Sequence, residues 1–143
     1  MKVGKRQQPK LSVFHEEIAI EDALQTADDV EKVQFTGGYF VGDVMERIAF
    51  DDVIFKQVRF MNANLSGLEF VDVLFDTCDL SNVHFQNASF HRCIFKDCKL
   101  TGTDFSSANL SHTLFEICDG KYGNYNFARL KEVDYISNDL ADS

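Results

Sequence analysis

Large apolar residues recur at every fifth position of this chain, beginning Phe35, Phe40, Met45, Phe50, Phe55, Phe60 and continuing to Tyr135 and Leu140, with Gly120 the one break. Twelve of the fourteen phenylalanines lie on this series. Neither regular element can use such a period. Five steps around a helix leave a side chain about 140° out of line, and a strand that alternates faces sends successive members of the series to opposite sides. The pattern requires a backbone that turns a corner every five residues and keeps one large side chain inside each time. Units of this kind stack around a continuous core.

A second series sits two residues before the first, with Val53, Val58, Ala63, Leu68, Val73 and Cys78 as its early members. These residues are mostly small or β-branched. Two inward residues, two apart, with three outward positions before the next pair, describe one short side of a coil. The outward positions carry nearly all of the charged and amide side chains.

On Ala63-Asn64-Leu65, Ala88-Ser89-Phe90, Thr103-Asp104-Phe105 and Ala108-Asn109-Leu110, the chain resembles the pentapeptide-repeat family. The resemblance covers roughly residues 33–142. It implies an all-β fold, a right-handed quadrilateral β-helix with four pentapeptides to a coil. The twenty-residue coil is also visible directly, in Val53-Ile54-Phe55, Val73-Leu74-Phe75, Cys93-Ile94-Phe95 and Thr113-Leu114-Phe115. About five such coils, stacked at about 4.8 Å, predict a rod roughly 25 Å long.

Residues 1–30 lie outside the period and are expected to form an N-terminal tail and cap, with residues 31–143 as the solenoid. Phe14, Ile18, Ile20 and Leu24 are the apolar residues available to cover the first coil, as a helical turn or a degenerate coil. Gly37, Gly38 and Asp43 predict that this coil is irregular. At the other end no amphipathic segment follows Tyr135 and Leu140. A rod open at that end would pair with a second copy, or fray. Gly120 and Gly123 predict a local bulge with Tyr122 folding inward.

Charge and cysteine content narrow the function classes. The formal net charge of −9 disfavours nucleic acid as a direct ligand. No stretch is long and apolar enough to span a bilayer. The four cysteines all fall on the small inward series and read as reduced core residues of a cytoplasmic protein. Cys78, Cys98 and Cys118 stack on successive coils, but parallel side chains do not aim at one another for a disulfide. They also lack polar companions for a metal. His91 and His112 fall on adjacent coils as near neighbours, too few for a metal site. With no nucleophile triad, phosphate loop or dinucleotide motif, the chain reads as a non-enzymatic binding scaffold without cofactor or metal.

Three columns of outward residues are candidate contact surfaces. Ile54, Leu74, Ile94 and Leu114 form an apolar stripe, either a partner site or branched residues stacking on a sheet face. Lys56, Asp76, Lys96 and Glu116 alternate in charge and read as a register ladder. A third side is acidic early, through Asp51, Asp52, Glu69 and Asp72, and basic later, through His91, Arg92, His112, Arg129 and Lys131. Family members that imitate DNA bind type II topoisomerases, so the resemblance offers DNA gyrase or topoisomerase IV as partners, with the four acids as the imitating groups. The change to basic residues and the absence of inserted loops speak against that role. The primary expectation is an unidentified protein partner, met through the stripe or the open end.

Overall fold

The computed structural model describes residues 6–20, 23, 29–40, 48–136, 138 and 139. It is an all-β solenoid of about five turns. In chain order the strands are β1 (Glu16–Glu17), β2 (Val30–Thr36), β3 (Ala49–Lys56), β4 (Glu69–Asp76), β5 (Ser89–His91), β6 (Ile94–Lys96), β7 (Asn109–Glu116) and β8 (Arg129–Ile136). All pair in parallel and, from β2 onward, at an offset of twenty, with Phe35 beside Phe55, Phe55 beside Phe75 and Phe75 beside Phe95. Isolated bridges such as Arg59 with Asp79 and Asn64 with His84 carry the same offset on the other sides of the coil.

The five-residue period works because a left-handed residue stands at each corner. Asp52, Gln57, Asn62 and Gly67 have φ of 59°, 56°, 62° and 74°, and Asp72, Thr77, Asn82 and Asn87 repeat the set one coil on. Many corners are closed by a bond from the fourth residue to the first, as from Ala63 N–H to the Phe60 carbonyl at 2.8 Å. With positive φ only at the third residue, these are type II turns, which favour Gly or Asn there. The Asp or Asn of the repeat holds the corner from outside, since Asn64 Oδ1 accepts the Ser66 N–H at 3.1 Å and Asp104 Oδ1 accepts that of Ser106 at 2.8 Å.

Inside, the large series stacks ring on ring. Phe55, Phe75, Phe95 and Phe115 form one pile with centroids 5.1, 4.6 and 4.7 Å apart, all fully buried. The small series ties adjacent coils together. Cys78, Cys98 and Cys118 each donate Sγ–H to the carbonyl of the residue twenty-three earlier at 3.2 Å, Thr103 Oγ1 donates likewise to Leu80 at 2.8 Å, and Asn138 Nδ2 continues the pattern to Phe115 at 2.7 Å. A buried thiol therefore serves as a weak donor to a carbonyl. Burial pushes the Cys93 thiol up to about 12, which makes it a poor nucleophile.

Two expectations need correction here. Gly120 does not produce a bulge: the twenty-residue register runs through Asp119–Asp139 and Asp104–Asn124, and Tyr122 points into solvent. Its neighbours keep the register because inter-coil bonds, such as Gly120 N–H to the Asp139 carbonyl at 2.7 Å, need no side chain. Phe14 does not cap the first coil; it is 77% exposed. The covering is done by Ile20 and Ala23, with Ile18 packed alongside. Strand β1 pairs with β2 at an offset of seventeen, Glu16 beside Val33, as a degenerate coil. Then Ala23 N–H bonds the Ala19 carbonyl at 3.2 Å in helical fashion, so the cap combines both expected forms. Leu24, Asp43, Met45 and Leu140 lie outside the described residues.

Candidate functional site

The last coil departs from the corner rule. The corner filled by Gln57, Thr77 and Asp97 holds Ile117, with φ 55°. The corner filled by Asn62, Asn82 and Gly102 holds Tyr122, with φ 59°. The corner filled by Gly67, Asn87 and Ser107 holds Phe127, with φ 60°. Left-handed backbone is unusual for large or β-branched residues, and all three side chains are exposed, Phe127 at 89%. Leu130, Tyr135 and Ile136 add further exposed apolar surface on β8. Among the described residues, six of the ten exposed large apolar ones thus fall between residues 117 and 136. The inner ones, Leu130 and Tyr135, are uncovered because among the described residues β8 pairs with β7 alone. Charges of both signs, Lys121, Arg129, Lys131, Glu132, Asp134 and Asp139, lie on the same part of the chain, with Lys121 paired to Asp139 at 3.4 Å.

The anticipated apolar stripe is only partly available. Ile54, Leu74 and Ile94 are in register and half-buried. Leu114, expected to face outward, is 5% exposed. Its neighbour on the next coil, Asp134, holds Arg6 at 2.9 Å, so the N-terminal segment reaches the column at this height. Lys56, Asp76, Lys96 and Glu116 stack in register, yet none of the ion pairs among the described residues joins them.

The acidic side is covered where it was expected to be open. Residues 6–15 form an arm that lies along the rod, across its coils. Asp52 accepts the Ser12 N–H at 2.9 Å, the Ser12 hydroxyl and His15 Nε2 at 2.8 Å. Asp72 accepts the Lys10 N–H at 2.9 Å and is clasped by Arg92 through Nε at 2.7 Å and Nη2 at 2.9 Å. These two carboxylates are 8% and 6% exposed. Burial opposes their ionisation, but the hydrogen bonds outweigh it and hold both below the usual carboxylate value. Asp51 and Glu69 remain exposed. Burial and the neighbouring Asp72, Asp52 and Glu31 push the Asp51 carboxyl up.

His91 and His112 are neighbours, with ring centroids 5.6 Å apart. His91 bonds Ser111 Oγ at 2.6 Å and meets Arg92 Nη1 at 3.2 Å. Burial and the Arg92 charge hold the His91 imidazole below its ordinary value. No group of three or more metal-ligating side chains occurs among the described residues.

Comparisons with known proteins match this architecture. A family model described as "Pentapeptide repeat region" matches residues 68–143, and the chain belongs to the pentapeptide-repeat family. HetL, a pentapeptide repeat protein involved in heterocyst differentiation regulation from the cyanobacterium Nostoc sp. strain PCC 7120, is similar in structure at TM-score 0.59 and 14% identity. The match covers 76% of this chain and 48% of HetL, so the chain spans about half the length of that protein. Rfr23, from the cyanobacterium Cyanothece 51142, matches at TM-score 0.50 and 12% identity, over 80% of this chain and 88% of that one. Trypsin-treated QnrB1, a plasmid-mediated fluoroquinolone resistance protein, covers 84% of this chain and 89% of its own at 15% identity, but its TM-score of 0.31 carries no argument. No curated protein matches in sequence.

Proposed function

We propose that this protein is a non-enzymatic scaffold that binds another polypeptide through its last coil, and that the first occupant of that surface is a second copy of the chain. The observation that carries this reading is the placing of Ile117, Tyr122 and Phe127 at left-handed corners. Earlier coils fill the same corners with Gln, Thr, Asp, Asn, Gly and Ser, so the bulky residues add strain without adding to the core. Strained residues that stay largely exposed point to a contact role. The three corners set these side chains around the rim of the last coil, where a second copy stacked end-on would meet them all, and charges of both signs on that coil suit a two-fold contact. Sedimentation velocity on the chain and on an Ile117→Thr, Tyr122→Asn, Phe127→Asn variant tests it. Association of the first and not of the second is expected; equal behaviour would remove the last coil from the account.

The DNA-imitating reading, with DNA gyrase or topoisomerase IV as partner, ranks second. The net charge of −9 on a rod favours it. Against it, Asp52 and Asp72 are spent on the arm and on Arg92, which leaves Asp51 and Glu69 of the four acids exposed. A gyrase supercoiling assay is expected to show neither inhibition nor protection from a quinolone. Inhibition that Asp51→Lys with Glu69→Lys abolishes would reverse the ranking.

A further inference from the structure

The arm shows what the covered column can hold. Asp52, Asp72, Arg92 and His112 occupy the same left-handed corner on four successive coils, with φ of 59°, 55°, 53° and 49°. Ser12 is bonded at the first of these, Lys10 at the second, and Gln7 N–H at His112 Nδ1, 3.0 Å away. From Asp52 to His112 is three coil spacings, about 14 Å, and five residues of extended chain span about 16 Å. An extended polypeptide therefore matches the coil spacing at slightly under two residues per coil. Lys10 and Ser12, two apart, present their amides to the same side, as an extended chain requires.

Recognition is shared between main chain and side chains. The amides of Gln7, Lys10 and Ser12 supply three contacts, and Arg6 Nε, the Ser12 hydroxyl and His15 Nε2 supply three more, whereas Val13 and Phe14 face solvent. Charge adds to this, because Arg6 pairs with Asp134 on the neighbouring column and the Lys10 charge favours the Asp72 carboxylate, which Arg92 also clasps. The far end fits poorly. Arg6 is 9% exposed and pairs with Asp134 through Nε, but its Nη1 is buried without an acceptor.

We propose that this column is a docking groove for an extended, basic peptide segment of a partner protein. In this structure the chain's own residues 6–15 fill it, and binding of the partner segment displaces them. The amide contacts admit any extended segment, and the side-chain contacts to Asp52 and Asp134 favour one with a hydroxyl or a base at the matching positions.

The probe is a fluorescent peptide with the sequence of residues 2–16, titrated into the full chain and into an Arg6→Ala, Ser12→Glu variant. The glutamate sets a second carboxylate against Asp52 and loosens the arm. The variant is expected to bind the peptide at least ten-fold more tightly than the unmodified chain, because the attached arm no longer competes. A scrambled peptide of the same composition should bind several-fold more weakly, and an acidic peptide of the same length should not bind. Adding His112→Ala, or Asp52→Asn, should weaken the peptide several-fold while circular dichroism stays unchanged; having two such variants covers the case in which one fails to fold. On the unmodified chain, excess peptide should speed hydrogen exchange at the Lys10 and Ser12 amides. Equal affinity for the chain and the loosened variant, no binding to either, or unchanged exchange would each overturn the proposal.

Discussion

Replacing Phe127 with asparagine should stabilise the protein, although it removes a large apolar side chain. Phe127 has φ 60°, and a non-glycine residue in that region costs about 1–2 kcal/mol, less for Asn because its short amide can bond locally. The opposing term is the burial lost. The ring is 89% exposed, and full burial of a phenylalanine is worth roughly 1.5–3 kcal/mol, so the remaining tenth contributes about 0.3 kcal/mol. Backbone relief wins, and the net gain is about 1 kcal/mol, or roughly 3–5 °C in melting temperature for a domain of this size. Ile117→Thr is the internal comparison. Its side chain is 53% exposed, so burial lost is about 1 kcal/mol, and threonine, itself β-branched, brings no backbone relief to offset it. Thermal melts at low protein concentration, followed by circular dichroism, measure both. A fall in melting temperature for Phe127→Asn would show that the ring packs on the rod and that the corner argument is wrong.

Two further outcomes follow from the core and from the arm. Phe75 is fully buried between Phe55 and Phe95, at 5.1 and 4.6 Å, so Phe75→Ala should cost about 3–5 kcal/mol in urea unfolding, and a loss below about 1 kcal/mol would contradict the continuous stack. The carboxyls of Asp52 and Asp72 are held below their ordinary value of 3.8, so their stabilising effect is complete above that value and lost as pH falls through the folded pKa. Protection of the Lys10 and Ser12 amides should therefore be full above pH 3.8 and fall with acid below it while the core keeps its own, and arm protection that does not change with acid would contradict the anchoring.

The solenoid was legible because its cause is local and repeated. Each five-residue unit carries one large and one small inward residue, and stacking needs nothing else, so Phe55, Phe75, Phe95 and Phe115 announce both the coil and its register. Gly120 was misread because a missing side chain looks like a fault, whereas the inter-coil bonds of its main chain keep the ladder intact. The arm was hidden for a different reason. Its contacts join Ser12 to Asp52 and Gln7 to His112, forty and one hundred and five residues apart, half of them through main-chain amides that leave no pattern in the side chains. Hence Asp52, Asp72 and Leu114 read as surface and are covered. The apolar corners did leave a signal, since Tyr122 and Phe127 stand where Asn and Gly stand in earlier coils. Phe14 and Phe127, the two phenylalanines outside the five-residue series, are both exposed.

Sedimentation velocity over a wide concentration range, on the unmodified chain and on the Ile117→Thr, Tyr122→Asn, Phe127→Asn variant, bears most directly on the role of the last coil. A concentration-dependent dimer is expected for the unmodified chain and a monomer for the variant, which should melt no lower. Identical sedimentation of the two proteins would contradict that role.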